Sequence, residues 1–373
     1  MRRPTTWDKE TLYKTGDEYF AGLLKAIAAA TFAIELESYI FEKGILADRM
    51  VAALIAAAQR GLRVRMIVDG WGSPGFAFDY WPMLKKAGVR VRFFRVSPWI
   101  LRRLPGDPRG LFARLRWRWQ QLNRGNHRKF CLIDHQELWV GSFNVSDVHL
   151  TEVRGADSWK DTGVCVRGSE LKHARRAFQR AYRGWAAINW PTFSPKLLLL
   201  NDSFLHKRRS RLEQIYRMRH SRERIWLATP YFVPVGNVYR LLARKARRGL
   251  DVRLMVPRKN DIWFMKWLTW PLLNSLAKKG VKIFIYAPRF SHQKLFIADD
   301  WMCVGSTNLN HRSFLHDLEM DVVITHPENK KAIIDSYVKD QELSATFDTY
   351  AWSRLPWWKR WFSSVFLLAK YWS

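Results

Sequence analysis

His127-Arg128-Lys129-Phe130-Cys131-Leu132-Ile133-Asp134 returns 165 residues later as His292-Gln293-Lys294-Leu295-Phe296-Ile297-Ala298-Asp299. Both copies read His-x-Lys-x-x-x-x-Asp. Each is trailed by a Gly-Ser-x-Asn quartet: Gly141-Ser142-Phe143-Asn144 begins 14 positions beyond its His, and Gly305-Ser306-Thr307-Asn308 begins 13 beyond. The flanking sequence repeats too. Gly61-Leu62-Arg63-Val64-Arg65-Met66-Ile67-Val68 lines up with Gly249-Leu250-Asp251-Val252-Arg253-Leu254-Met255-Val256, and Ala87-Gly88-Val89-Arg90-Val91-Arg92 with Lys279-Gly280-Val281-Lys282-Ile283-Phe284. The chain is a tandem duplication.

Working outward from the first copy, apolar residues at helical spacing (Phe20, Leu23, Leu24, Ile27) predict a helix over 16–30, followed by a strand from Ala33 to Ile40. A helix from about Asp48 to Gln59 stops at Gly61, and Arg63 to Asp69 alternates as a strand. A helix near Met83 to Lys86 and a strand from Val89 to Phe94 complete a βαβαβ run. The class is α/β: two tandem repeats of mostly parallel or mixed sheet flanked by helices, related by a pseudo-twofold, with one active site at their interface. The repeats are expected over 1–195 and 196–350, with a Trp-rich amphipathic tail over 351–373. Gly88 and His127 are 39 positions apart where Gly280 and His292 are 12 apart, so the first repeat carries a basic aromatic insert at about 95–122.

Composition narrows the partners. With 63 Lys and Arg against 33 Asp and Glu, the formal charge is +30, which calls for a polyanion, either nucleic acid or an anionic lipid surface. Charge alone does not choose. The 20 Trp residues tilt the choice toward a membrane, because Trp settles at the headgroup level. Arg116, Trp117, Arg118 and Trp119 in the insert, Trp267, and Trp357, Trp358 and Trp361 in the tail suit segments lying in that layer. Apolar runs such as Ala26 to Ala33 fall short of the ~20 residues that a spanning helix needs, and no signal peptide is evident, so contact with a membrane is expected to be peripheral. Cys131, Cys165 and Cys303 form neither a CxxC pair nor an even framework, which argues against a zinc site and a disulfide scaffold and fits a reducing, cytosolic setting.

Period-2 geometry puts His and Lys of each copy on one face, and each quartet's Asn adds a neutral donor beside them. Two facing copies would give a pocket with two His, two Lys and two Asn. That set can bind the non-bridging oxygens of a phosphodiester, attack phosphorus with one imidazole and protonate the leaving alkoxide with the other, with no metal or cofactor required. The lone histidines His135, His149 and His311 read as structural.

The duplicated motif resembles the phospholipase D superfamily. Glu37-Ser38-Tyr39-Ile40-Phe41-Glu42, Val68-Asp69-Gly70-Trp71-Gly72-Ser73, Trp159-Lys160-Asp161, Thr229-Pro230-Tyr231-Phe232-Val233-Pro234 and Asn310-His311-Arg312-Ser313 through Glu319 are similar to the bacterial cardiolipin synthases, most of all the short B type. The resemblance implies His127 as nucleophile through a phosphohistidine, His292 as general acid and base, and Lys129, Lys294, Asn144, Asn308, Ser142 and Ser306 around the phosphoryl oxygens. It also implies that Asp161 and Glu319 orient the imidazoles, and that Asp134 and Asp299 brace the motifs. The implied substrates are phosphatidylglycerol and a second phospholipid, phosphatidylglycerol or phosphatidylethanolamine. The implied setting is the cytoplasmic face of the bacterial inner membrane, with no nucleic acid involved. A hydrolytic phospholipase D and a nuclease of the same superfamily are the alternatives.

Overall fold

The computed structural model describes residues 6–96, 124–184, 195–262, 265–348 and 356. The expected insert, with Arg116, Trp117, Arg118 and Trp119, and the expected tail, with Trp357, Trp358 and Trp361, lie outside the described residues apart from Arg95, Val96 and Pro356.

Two sheets carry the fold. The first comprises β1 (Lys9–Tyr13), β2 (Ala33–Ser38), β3 (Arg63–Val68), β4 (Arg90–Phe93), β5 (Phe130–Ile133), β6 (Glu137–Gly141) and β7 (Gly163–Arg167), ordered β1-β7-β6-β5-β2-β3-β4. The second comprises β8 (Leu198–Leu200), β9 (Arg224–Ala228), β10 (Asp251–Pro257), β11 (Lys282–Tyr286), β12 (Leu295–Ala298), β13 (Trp301–Gly305), β14 (Met320–Ile324) and β15 (Ser344–Thr346), ordered β15-β11-β10-β9-β12-β13-β14-β8. Apart from β15 the orders coincide, so the duplication read in the sequence is a duplication of topology.

Both sheets are mixed, one of the two forms expected. Only β2-β3, β3-β4, β9-β10 and β10-β11 pair in parallel, and the other pairings are antiparallel. The physical reason lies in the connections. Helices such as Ile45–Gln59 return the chain in the same direction, whereas β5 to β6 and β12 to β13 are tight hairpins, which join antiparallel strands. These hairpins turn at residues with positive φ: Asp134 at 50°, His135 at 58° and Asp299 at 52°.

Burial explains why the motif strands are apolar at every position. Phe130 and Leu132 face a core shared by both sheets, with Leu227, Phe296, Ile297 and Val304 from the second. Cys131 and Ile133 point the other way, into a cluster under the helices Gly16–Ala29 and Ile45–Gln59. A strand buried on both faces cannot alternate with polar residues. The halves are also tied at the start of the chain, where Trp7 Nε1 donates to the Val323 carbonyl at 2.9 Å. No described helix is long and apolar enough to cross a membrane.

Asp134 and Asp299 end their strands and turn back to the opposite strand start. Asp134 accepts from the backbone N–H groups of Thr31, Phe32 and Ala33 at 2.7–2.9 Å, and Asp299 from those of Arg222, Glu223 and Arg224 at 2.9–3.0 Å. Burial pushes both carboxyls up, but these donors outweigh it and hold each below the usual range. The ionised forms therefore stabilise the fold above an ordinary carboxylate pKa near ~4, and that contribution is lost as pH falls through the depressed folded value. Asp299→Asn should lower the urea midpoint at pH 7 and flatten the loss of stability between about pH 4 and 2. A wild-type acid-unfolding profile unchanged by the substitution would count against it.

Candidate active site

Each His-x-Lys segment runs extended into its strand. His127 to Lys129 precede β5, and His292 to Lys294 precede β12. Alternation turns the middle residue away from its neighbours. Arg128 is fully buried and makes two 2.9 Å bonds to Glu37, which also accepts from Asn126 Nδ2 at 2.6 Å. Gln293 donates to Thr162 Oγ1 at 3.0 Å. Burial raises the Glu37 carboxyl to about 7 even against this guanidinium.

Each segment is stitched to the opposite half. His127 N–H donates to the Leu318 carbonyl at 3.0 Å, and Leu318 N–H to the Gly125 carbonyl at 2.8 Å. His292 N–H donates to the Lys160 carbonyl at 2.8 Å, and Lys160 N–H to the Phe290 carbonyl at 2.9 Å. These short parallel bridges set the acidic residue following each suture behind the other half's imidazole. Nδ1 of His127 lies 3.1 Å from both oxygens of Glu319, and Nδ1 of His292 lies 2.9 Å from Oδ2 of Asp161. Nε2 of each ring is thereby directed away from its carboxylate. His127, His292, Asn144 and Asn308 line one cavity of about 520 Å³.

Both motif lysines are buried beside the imidazoles. Lys129 Nζ bonds the His127 carbonyl at 2.8 Å, and Lys294 Nζ lies 2.9 Å from His292 Nε2 and 3.0 Å from the His292 carbonyl. Burial and the neighbouring Lys294 bring Lys129 down to about 7, and burial brings Lys294 down to about 8. Burial, then the two ammonium groups, holds both imidazoles well below their usual range, which favours neutral rings. Burial lifts Asp161 to about 6 and Glu319 to about 7. Asp161 and Glu319 oppose the effect of burial on both lysines without overcoming it, and an anion in the cavity would add to their effect.

The side-chain amides of Asn144 and Asn308 make no hydrogen bond within the described residues, and each Oδ1 is buried without a partner. Their polar capacity is left for a ligand. Ser142 and Ser306 are a correction. They were expected at the phosphoryl oxygens, but their hydroxyls donate to Asp161 and Glu319 and their N–H groups to the Thr162 and Met320 carbonyls. A buried carboxylate needs several donors, and the serine beside it in the turn is the nearest one. Gly141 is required by close approach, because a Cβ there would sit 2.6 Å from Gly163 Cα and the Thr162 carbonyl oxygen. Asp134 and Asp299 sit at the far strand ends, outside the cavity. Trp267 is half-buried in the helix Met265–Ala277.

Several cavity residues were quoted in the sequence only as part of longer segments. The Tyr39 ring stands edge-on to His127 at 4.8 Å, while Trp159, Phe290 and Tyr231 surround His292 at 5.6, 6.1 and 6.3 Å. His149 is structural, as expected, but its place beside the first quartet was not foreseen. Read as a lone structural histidine, it is buried, its Nε2 accepts from Asn144 N–H at 3.1 Å, and its Nδ1 faces Asp161 at 3.7 Å. Ser313 does the same job in the second half, accepting from Asn308 N–H at 3.2 Å and donating to Glu319 at 2.6 Å. The signal was available: both residues lie five positions beyond the quartet's Asn.

Residues 23–181 and 215–340 match the family described as cardiolipin synthase, phospholipase D-like domain. The chain is 27% identical over 351 residues to the probable cardiolipin synthase YwiE of Bacillus subtilis, covering 89% of this chain and 65% of that protein. It is 29% identical over 332 residues to cardiolipin synthase B of Escherichia coli, covering 85% and 76%. The chain thus spans just under two thirds of the first relative's length. Its fold is similar to the crystal structure of phosphatidylserine synthase from Haemophilus influenzae, with a TM-score of 0.69 at 12% identity over 98% of this chain and 95% of that one.

Burial leaves His149 neutral, with its pKa brought down to about 3, so its Nε2 lone pair is available to Asn144 at any physiological pH. His149→Ala should leave that N–H unsatisfied and cost about 1–3 kcal/mol in urea unfolding. An unchanged midpoint would show that the quartet is held without it.

Proposed function

The chain belongs to the family of cardiolipin synthases with a phospholipase D-like domain, and on that premise we propose that it is a phosphatidyltransferase that makes cardiolipin. It moves a phosphatidyl group from phosphatidylglycerol to the headgroup hydroxyl of a second phospholipid. The observation that carries this reading is a difference between the two imidazoles. Each is held by a carboxylate at Nδ1, yet Nε2 of His127 has no partner among the described residues, whereas Nε2 of His292 faces the Lys294 ammonium at 2.9 Å. One ring offers a lone pair to the cavity, and the other sits beside a proton source.

In the proposed sequence, Nε2 of His127 attacks phosphorus as the bond to the glycerol oxygen breaks, and His292 supplies the proton with which glycerol departs. The phosphatidyl group then rests on His127 as a phosphohistidine. The neutral His292 takes the proton of the acceptor hydroxyl, whose oxygen attacks phosphorus and frees His127. Lys129, Lys294, Asn144 and Asn308 meet the non-bridging oxygens, and Glu319 and Asp161 stabilise each ring when it is cationic. The incoming phosphodiester's negative charge offsets the ammonium groups that depress His292, so substrate binding itself readies the general acid. The chemistry proposed uses this chain's own side chains and no metal. Aromatic walls from Tyr39, Trp71, Trp159 and Tyr231 suit a lipid substrate entering from a membrane surface. We place the protein peripherally on the cytoplasmic face of the inner membrane, where anionic lipid would attract its positive charge.

Phosphatidylglycerol vesicles incubated with the protein and a chelator should yield cardiolipin and glycerol by mass spectrometry. Phosphatidic acid alone would make it a hydrolase, and DNA cleavage without lipid turnover would make it a nuclease. His127→Ala should abolish the trapped phosphoenzyme, whereas an intermediate recovered on His292 would reverse the two roles. The pH dependence of kcat/KM should be bell-shaped. The acid limb comes from protonation of Asp161 and Glu319 at about 6 and about 7, and the alkaline limb from loss of the Lys129 and Lys294 protons at about 7 and about 8. A rate still climbing above pH 9 would contradict the need for charged lysines.

A further inference from the structure

The helix Phe204–His220 is built the wrong way round for a globular protein. Its inner face carries His206, Ser210, Gln214 and Met218, which recur every four residues and are buried. Only Met218 among them is apolar. The face is held by polar contacts: His206 Nδ1 to Asp202, Ser210 Oγ to the Leu200 carbonyl at 2.9 Å, and Lys207 Nζ to the Leu315 and His316 carbonyls at 3.2 and 2.6 Å. The large apolar side chains lie on the outside, with Phe204 79%, Leu205 55%, Leu212 49% and Tyr216 53% exposed. Helical geometry gathers these four, with Arg208 and Arg219, into one outward sector. Ordinary amphipathic helices turn that stripe to the core.

The charge on this helix is equally one-sided. Lys207, Arg208, Arg209, Arg211, Arg217 and Arg219 face a single acid, Glu213, which pairs with Arg217. Arg208, Arg209, Arg211 and Arg219 make no ion pair among the described residues. We propose that this helix is the surface on which the protein docks to an anionic phospholipid bilayer, with Phe204, Leu205, Leu212 and Tyr216 entering the acyl boundary and the arginines meeting phosphates. Basic residues mixed with apolar ones on an exposed helix suit a headgroup layer. A second copy of this chain fits less well, since it would bring another +30 charge against the arginines. Nucleic acid would satisfy the arginines but leave the exposed leucines and phenylalanine without a role. The location also suits delivery of lipid: Lys207 ties the helix to the end of the helix His311–Leu315, whose Arg312 and Ser313 line the catalytic cavity.

The proposal rests on the reading of the substrates as lipids but adds a surface to it, and the two can fail separately. The full chain and two variants, Phe204→Ser with Leu212→Ser and Arg208→Glu with Arg219→Glu, would be floated with phosphatidylglycerol vesicles and with phosphatidylcholine vesicles. The substituted side chains are exposed and outside the catalytic machinery, so turnover of a water-soluble short-chain phosphodiester should match wild type and certify the fold. Wild type should float with the anionic vesicles and weakly with the zwitterionic ones. Each arginine reversed to glutamate should cost more than about fivefold in partitioning, the effect of losing one positive charge, and the apolar pair should cost at least about tenfold. Vesicle binding unchanged in both variants would overturn the proposal. So would sedimentation showing a wild-type dimer that the variants dissociate, because the face would then belong to a second copy. Wild type that floats through this helix yet forms no transfer product would refute the transferase reading and leave the docking surface standing.

Discussion

Everything in the catalytic cavity depends on an exchange of carboxylates between halves. Glu319 of the second repeat holds His127 of the first, and Asp161 of the first holds His292 of the second. Neither repeat alone possesses an oriented imidazole. The exchange is possible because the short bridges at Asn126 with Leu318 and at Lys160 with Ser291 fasten each motif to the other repeat. Burial makes these pairs consequential. A carboxylate out of water is costly, and each is satisfied by a serine hydroxyl and a ring nitrogen at fixed positions, which leaves little freedom in where Nε2 points.

The pseudo-twofold is a symmetry of backbone more than of chemistry. Sheet order, quartets and crossed pairs all repeat, yet the groups behind them diverge. His149 supports the first quartet where Ser313 supports the second, and Arg128 with Glu37 fills the space that Gln293 with Thr162 fills opposite. Lys294 reaches its own ring's Nε2, while Lys129 turns to a carbonyl and the face of Tyr39. In the proposed mechanism, these differences would divide attack from proton transfer between the two rings.

The cavity gathers two imidazoles and two buried ammonium groups. Each buried lysine lowers the proton affinity of its neighbours, and the unpartnered amide oxygens of Asn144 and Asn308 add further unspent polarity. In the proposed reaction, a phosphodiester would supply the negative charge that this arrangement favours.

The duplication, the α/β class and the paired motifs were legible from the sequence by itself, because they depend on local period and on spacing along the chain, whereas the acids Asp161 and Glu319 came only from the family resemblance. The bracing roles of Asp134 and Asp299 were inferred there and correspond to carboxylates capping the strand starts. Which strands of the mixed sheets run antiparallel was left open, because two hairpins in place of helical crossovers leave the hydrophobic pattern unchanged. The partners of Ser142, Ser306 and His149 were not legible there, since which way a buried side chain turns is decided by the fold: Ser142 meets Asp161 19 positions away and Ser306 meets Glu319 13 away. The outward apolar face of Phe204–His220 was hidden for the same reason. Its residues are ordinary, and only the packing of the opposite face shows that the leucines point out. Contacts between residues distant in sequence decided what the spacing of residues could only propose.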